Sequence, residues 1–569
     1  MHRIYFRQIT FILSIAFTIA TACTTPNRIP KAEAVTASNG MVVSAHPDAS
    51  RVGLEILKKG GNAVDAAIAV QFALAVAHPA AGNIGGGGFM VYRSAAGEVS
   101  TLDYREKAPA LATETMYQDS AGNVIPNLSI NGHLASGVPG TVDGMAEAHK
   151  KYGSLAWKEL IQPSVELALK GVMLTIKEAD GLNYSKESFI KHNTHPTYLV
   201  RDVAWKAGDT LQHIALGHTL ERIRDLGRAG FYEGITADMI VREMQTNQGV
   251  ISLEDLANYH SVWRDAAIGT YKGYKIISMP PPSSGGVALL QLLKIVEGFD
   301  LGKKGWQTPE TIHLMTEAER RVYADRATHL GDPDFYRVPV SRLLDEKYLL
   351  ERRASIATDK KTPSSEIKAG LFVTNESNET THFSIVDKAG NAVSITTTLN
   401  GGYGSKVVVK EAGFLLNNEM DDFSIKPGVP NMFGLVGGQA NAIAPGKRML
   451  SSMTPTIIEK EGKLFMVVGT PGGSTIITSV FQTILNVLEH DMNMQQAVNA
   501  KRFHHQWLPD EILVEEGGIT QETRQALEAK GHIIREILAI GRVDAILVRK
   551  SGKLEGGADP RGDDTALGY

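Results

Sequence analysis

The tract from Glu376 to Asn400, ESNETTHFSIVDKAGNAVSITTTLN, constrains this chain most, because a polar stretch turns at a single threonine into two β-branched runs. HFSIVD and AVSITTTL flank KAGN, and strand-forming runs on either side of a Gly-containing turn predict an antiparallel hairpin. Upstream, SIATDKKTPSSEIKAGLFVTNESNET carries Pro, Gly, Ser and Asn with neither a helical nor an alternating period, which predicts a mobile loop. Thr380 stands at the junction. As an internal residue it simply begins a strand, where threonine is favoured. Cutting the bond before it would instead give a chain terminus with a hydroxyl and a free α-amine, whose ordinary pKa of about 7.7 to 8.0 suits it to take the hydroxyl proton near neutral pH. The residues alone leave both readings open.

TTHFSIVDKAGNAVSITTTLN, LLNNEMDDFS, PGVPN, LSSMTPTI, GTPGGS and RFHHQWLPDE, in this order, resemble the small subunit of gamma-glutamyltransferases (gamma-glutamyltranspeptidases). NAVDAAIAVQFALAVAHPAAGNIGGGGFMVY, LDYREKAP, GVPGTVDG and MPPPSSGG extend the resemblance to nearly everything after residue 35. It implies an α+β chain with the four-layer αββα sandwich of the N-terminal nucleophile hydrolases, a heterodimer made from one precursor. The large subunit, 42–379, would be helix-rich and end in the loop, and the small subunit, 380–569, would begin at the nucleophile. Autocleavage would fall between Glu379 and Thr380, with Thr380 attacking first its own chain and then the substrate. The resemblance also implies that Thr398 hydrogen-bonds the nucleophile, that Asn400 contacts the substrate α-amine and that Gly472 and Gly473 form an oxyanion hole. It gives Arg105, Ser451 and Ser452 to the substrate α-carboxylate, and Glu419 and Asp422 to its α-ammonium. Relatives that accept glutaryl groups, which lack the amine, lose a carboxylate at the position of Asp422, so its presence points to true γ-glutamyl donors. Glutathione is the implied donor, water, amino acids or dipeptides the acceptors, and no metal or organic cofactor is implied. Acylase and poly-γ-glutamate-processing enzymes are alternatives within this chemistry. A lipid-anchored peptide-binding protein is the alternative outside it, and would leave the chain intact.

The residues support parts of this independently. KLFMVVGTPGGSTIITSVF reads as a buried strand, a Gly-rich turn and a helix start, so amides around Gly472 and Gly473 can face an anionic oxygen, or the glycines can simply make a tight turn. Antiparallel pairing across KAGN brings the strand holding Thr398 and Asn400 back beside the residues after Thr380. The run Gly85 to Gly88 lacks the Lys-Ser/Thr of a phosphate loop and is read as close backbone packing. His504 and His505 are adjacent, and neighbouring residues seldom chelate one ion, so structural roles are expected. PGVPNMFGLVGG resembles a lid loop with Phe433 as its aromatic. A tyrosine there could hydrogen-bond Asn400, and phenylalanine cannot.

With 43% hydrophobic residues, 21% charged residues, a formal net charge of -4 and no long basic run, the chain has an ordinary globular composition that argues against a nucleic-acid partner. Residues 1–22 have basic positions, then the apolar run ITFILSIAFTIATA, and so predict an export signal. Cys23 follows as the only cysteine, which excludes an internal disulfide and resembles a bacterial lipobox. The alternative is a plain Ala-x-Ala cleavage site. Either places the protein in the periplasm or cell envelope, touching a membrane only through an N-terminal lipid, with 23–41 as a tether.

Overall fold

The computed structural model describes residues 29, 31–369, 380–426, 429, 432 and 439–569. The signal segment, Cys23, Glu379, Phe433 and the end of the loop before Thr380 lie outside the described residues.

The hairpin forms where the β-branched runs predict it. Strand Thr381–Val386 pairs antiparallel with Ala392–Thr398, Thr381 opposite Thr397 and Val386 opposite Ala392. The turn closes as Gly390, at φ 92°, donates its amide to Asp387 O at 3.1 Å. Strand alternation then sorts the two faces. Phe383, Ile385, Val393 and Ile395 enter one core together with helix Ala63–Ala77. That helix is apolar all round because every one of its residues is buried. It starts at a capping box in which Val64 N and Asp65 N donate to Asn62 Oδ1 at 2.9 Å and Asn62 N donates to Asp65 Oδ2 at 2.9 Å. The other hairpin face carries His382, Ser384, Ser394 and Thr396. Ser384 Oγ donates to Asp544 O at 3.0 Å and Ser394 Oγ to Val468 O at 3.2 Å, which ties the hairpin to a second sheet.

Each of the two large sheets has seven strands. One runs, in spatial order, Thr565–Gly568, Met41–Ser44, Thr381–Val386, Ala392–Thr398, Gly87–Arg93, Val99–Tyr104 and Val262–Arg264. The other runs Val35–Ala37, Leu554–Gly557, Asp544–Val548, Lys463–Gly469, Thr456–Lys460, Tyr274–Ser278 and Ala267–Tyr271. Helices Pro47–Lys58 and Ala63–Ala77 cover the first sheet. Gly285–Val296 and Ser474–Leu488 cover the second, with Pro309–His329 packed against the former. The result is the four-layer αββα sandwich.

Two expectations change. The tether is shorter than 23–41: Val35–Ala37 is an edge strand on Leu554–Gly557, and the amides of Ser38 and Asn39 donate to Tyr569 O at 3.0 and 2.7 Å. A three-residue strand whose partner lies at the far end of the chain leaves no local signal. Asn400 also lies beyond its strand, in a turn described below.

The hydrogen bonds around His382 fix its state. Because Ser384 Oγ donates to Asp544 O, it accepts from His382 Nε2 at 3.0 Å, and Nδ1 accepts from Thr396 Oγ1 at 2.9 Å. Burial pushes the ring's pKa down from 6.5 to about 3, so it is neutral near neutral pH, which makes Nδ1 the acceptor. The unfolded chain takes up the proton first, so this stability is complete above about pH 6.5 and falls by about 1.4 kcal/mol per pH unit as pH drops toward 3. His382→Gln is expected to lose about 2 kcal/mol less than the parent between pH 6.5 and 5. Calorimetric melts of both proteins at the two pH values measure this, and equal losses would refute the buried neutral ring.

Candidate active site

Thr380 sits directly before strand Thr381–Val386 and is 8% exposed. The register, Thr381 opposite Thr397, places it level with Thr398 across the ladder. Thr398 is the last residue of its strand and lies opposite Gly87 on the other side. The chain then turns sharply. Asn400 takes φ 72°, and its amide donates to Thr398 Oγ1 at 2.7 Å. Asn400 Nδ2 donates to Asn418 O at 2.9 Å, while Asn418 Oδ1 accepts from Gly401 N at 2.8 Å. Positive φ is rare outside glycine, and asparagine tolerates it through such local bonds. Asn418 thereby fastens the open end of the hairpin to the short 3-10 turn Glu419–Asp422.

That turn faces Arg105, which follows strand Val99–Tyr104. The guanidinium pairs with Glu419 and Asp422, and its Nε and Nη2 also donate to Met449 O and Leu450 O at 3.2 and 3.0 Å. These carbonyls lead into Ser451 and Ser452, both 2% exposed. Five of the six residues expected to hold an amino-acid head group, all but Asn400, therefore lie together in one buried region, where Arg105 and the two acids contact each other. Glu106, which sequence reasoning did not single out, adds a third carboxylate 3.6 Å from Arg105 Nη1. Its signal was only adjacency to Arg105 in LDYREKAP. Burial pushes Glu106 up to about 7 despite Arg105, and burial likewise holds Glu419 well above the carboxylate range. Burial alone would lower Arg105, but Glu419, Asp422 and Glu106 keep it firmly cationic. Glu419 Oε2 and both Glu106 oxygens are buried and receive no hydrogen bond from the described residues. Such oxygens are costly unless a donor arrives.

The Gly-rich turn closes the other end. Strand Lys463–Gly469 finishes against the His382 ring, where a Cβ on Gly469 would stand 2.3 Å from the imidazole. The chain thus enters the turn beside the first residues of the hairpin. Gly472 and Gly473 have φ 128° and 56°, and Gly473 caps helix Ser474–Leu488. Both conformations favour glycine, and a Cβ at Gly472 would lie 2.6 Å from Thr475 Oγ1. Helix N-terminal amides here can receive an anionic oxygen.

His504 and His505 serve separate networks. His504 bonds Thr478 Oγ1 at 2.8 Å and Gln506 Oε1 at 2.9 Å, while His505 Nε2 lies 3.4 Å from Asp510 Oδ1. Burial lowers their pKa values to about 3 and 4.

Comparison with known proteins agrees with this arrangement. The sequence profile described as Gamma-glutamyltranspeptidase matches residues 49–569. The chain is 48% identical over 538 residues to a glutathione hydrolase proenzyme of Escherichia coli (strain K12), covering 94% of this chain and 93% of that protein. Among solved structures, the cephalosporin acylase from Bacillus halodurans superimposes with TM-score 0.84 at 28% identity, covering 96% of this chain and 98% of that one. The Helicobacter pylori gamma-glutamyltranspeptidase chain superimposes with TM-score 0.57 at 45% identity, covering 60% of this chain and 98% of that one. A threonine at the head of a central hairpin, a glycine turn beside it and a buried Arg–carboxylate cluster thus occur in a sequence matched almost end to end, and the chain belongs to the gamma-glutamyltranspeptidase family.

Proposed function

We propose that this protein is an autoprocessed γ-glutamyltransferase and glutathione hydrolase with Thr380 as its nucleophile. The observation that carries the reading is that the strand end level with Thr380 is bonded, from Thr398 through Asn400 to Asn418, to the turn whose Glu419 and Asp422 pair with Arg105. In processing, Thr380 Oγ attacks the Glu379 carbonyl, the C–N bond breaks as nitrogen takes the proton, and water hydrolyses the resulting ester. This frees a carboxylate on Glu379, and a hydroxyl and an amine on Thr380. In turnover the amine takes the hydroxyl proton, Oγ attacks the γ-carbonyl of the donor, and the amides at Gly472 and Gly473 receive the developing oxyanion. The departing amine recovers the proton, and water or an amino-acid or dipeptide acceptor then attacks the γ-glutamyl ester. An α-amino-acid head group supplies one carboxylate for Arg105, Ser451 and Ser452, and one ammonium for Glu419 and Asp422. The unfilled acceptor on Glu419 suits that ammonium. Asp422 favours γ-glutamyl over glutaryl donors, so an acylase reading is the weaker one. Export and a lipid on Cys23 complete the proposal, supported by residues 1–22.

Expressed without residues 1–22, the parent is expected to give two fragments on denaturing electrophoresis, the smaller beginning TTHFS, while Thr380→Ala stays intact. A parent that is folded at neutral pH yet uncut would overturn the proposal. Asp422→Ala, if it still processes, is expected to lose on the order of 100-fold in kcat/KM on L-γ-glutamyl-p-nitroanilide, the value of one bond to a charged group. Activity on glutaryl-p-nitroanilide should fall far less. Equal losses on the two substrates would remove Asp422 from ammonium recognition.

A further inference from the structure

Helix Pro309–His329 presents Tyr323 and Arg326, three residues apart on one face and each 1% exposed. The Tyr323 hydroxyl donates to Ser474 O, in the first residue of the helix that follows the Gly472–Gly473 turn. Arg326 reaches the opposite end of the site. Its Nε donates to Ser284 Oγ at 2.9 Å and its Nη2 to Ser452 Oγ at 2.7 Å. Ser284, in MPPPSSGG, donates both its amide and its hydroxyl to Ser451 O, each at 2.7 Å. One guanidinium therefore grips Ser452 by its side chain and, through Ser284, Ser451 by its backbone.

The consequence is positional: a hydroxyl oxygen that accepts from a buried guanidinium is held in one place. The charge-assisted bond also polarises the hydroxyl and makes it a better donor. Burial lowers Arg326 to about 10, with Tyr323 and Asp422 opposing the drop, so it stays cationic at neutral pH. Arg105 divides its charge among Glu419, Asp422 and Glu106, and Arg326 supplies a second positive charge behind the serine pair.

We infer that Arg326 is a positioning residue for the α-carboxylate of the donor, holding the Ser452 side chain in place and, through Ser284, fixing Ser451 beside it. This rests on the proposed γ-glutamyl function. It assigns the helix Pro309–His329 a part in substrate recognition as well as in the scaffold.

The test compares L-γ-glutamyl-p-nitroanilide with 4-aminobutyryl-p-nitroanilide, which keeps the amine and lacks the α-carboxylate. In Arg326→Met, KM for the γ-glutamyl substrate is expected to rise about 10- to 100-fold with kcat within a few-fold, as for one lost bond to a charged group. For the 4-aminobutyryl substrate kcat/KM should stay within about twofold. Arg326→Lys, which keeps the charge, should recover part of the loss, and appearance of both fragments on electrophoresis reports that each variant has folded and processed. If Arg326→Met does not process, Ser284→Ala is expected to show the same selective loss in smaller measure. Loss that is equal on the two substrates, or an unchanged KM in variants that process, would overturn the inference while leaving the functional reading in place. A folded parent that hydrolyses neither substrate would overturn both.

Discussion

The whole arrangement depends on the hydrogen-bond ladder that holds strand Thr381–Val386 between Met41–Ser44 and Ala392–Thr398. A neighbour on each side fixes its register, and a slip of one residue would exchange the Phe383 and His382 faces. The alternation is chemically strict: Phe383 and Ile385 face the helices, while His382 and Ser384 face the second sheet. Thr380 is presented at the end of this ladder, so its position follows from pairing over the whole strand. Both sheets combine strands from before and after residue 380. Breaking the bond at 379/380 would therefore leave the sandwich joined by its ladders and by its core.

The cluster around Arg105 is a second constraint. Burying one guanidinium with three carboxylates is unfavourable unless partners are well placed. Here the backbone carbonyls of Met449 and Leu450 accept from Arg105, and Asn418 anchors the turn that carries Glu419. The cluster is thus internally paired, and under the proposed function a zwitterionic head group would exchange these pairs for pairs to itself. Charge complementarity of that kind would reject a ligand missing either end, because a buried charge would be left alone.

Much of this was legible in the sequence. β-branched runs around KAGN gave the hairpin, and GTPGGS between a strand and a helix gave the glycine turn and helix start. Arg105, Glu419, Asp422 and the serine pair came through resemblance, and the fold brings them together. Arg326 and Ser284 were invisible for a physical reason. TIHLMTEAERRVYADRA carries an apolar stripe at helical spacing and reads as scaffold, yet its charged residues Glu317, Glu319, Arg320, Arg321, Asp325 and Arg326 are all buried. Periodicity separates apolar from polar positions but cannot tell a solvated charge from one buried against a partner distant in sequence. Asn418 was missed similarly, since its bonds to Asn400 and Gly401 are a tertiary event. Val35–Ala37 was lost because its partner, Leu554–Gly557, is remote in sequence.

The same topology sets a timetable. The hairpin's polar face relies on Asp544 O as acceptor for Ser384, and Met41–Ser44 lies between the hairpin and Thr565–Gly568. Both partners lie far beyond Thr380 in the sequence. Until they are made, Ser384 has no acceptor in the second sheet and Met41–Ser44 has no neighbour on its outer side. The hairpin is therefore synthesised well before the strands that seat it, and Thr380 gains its register late.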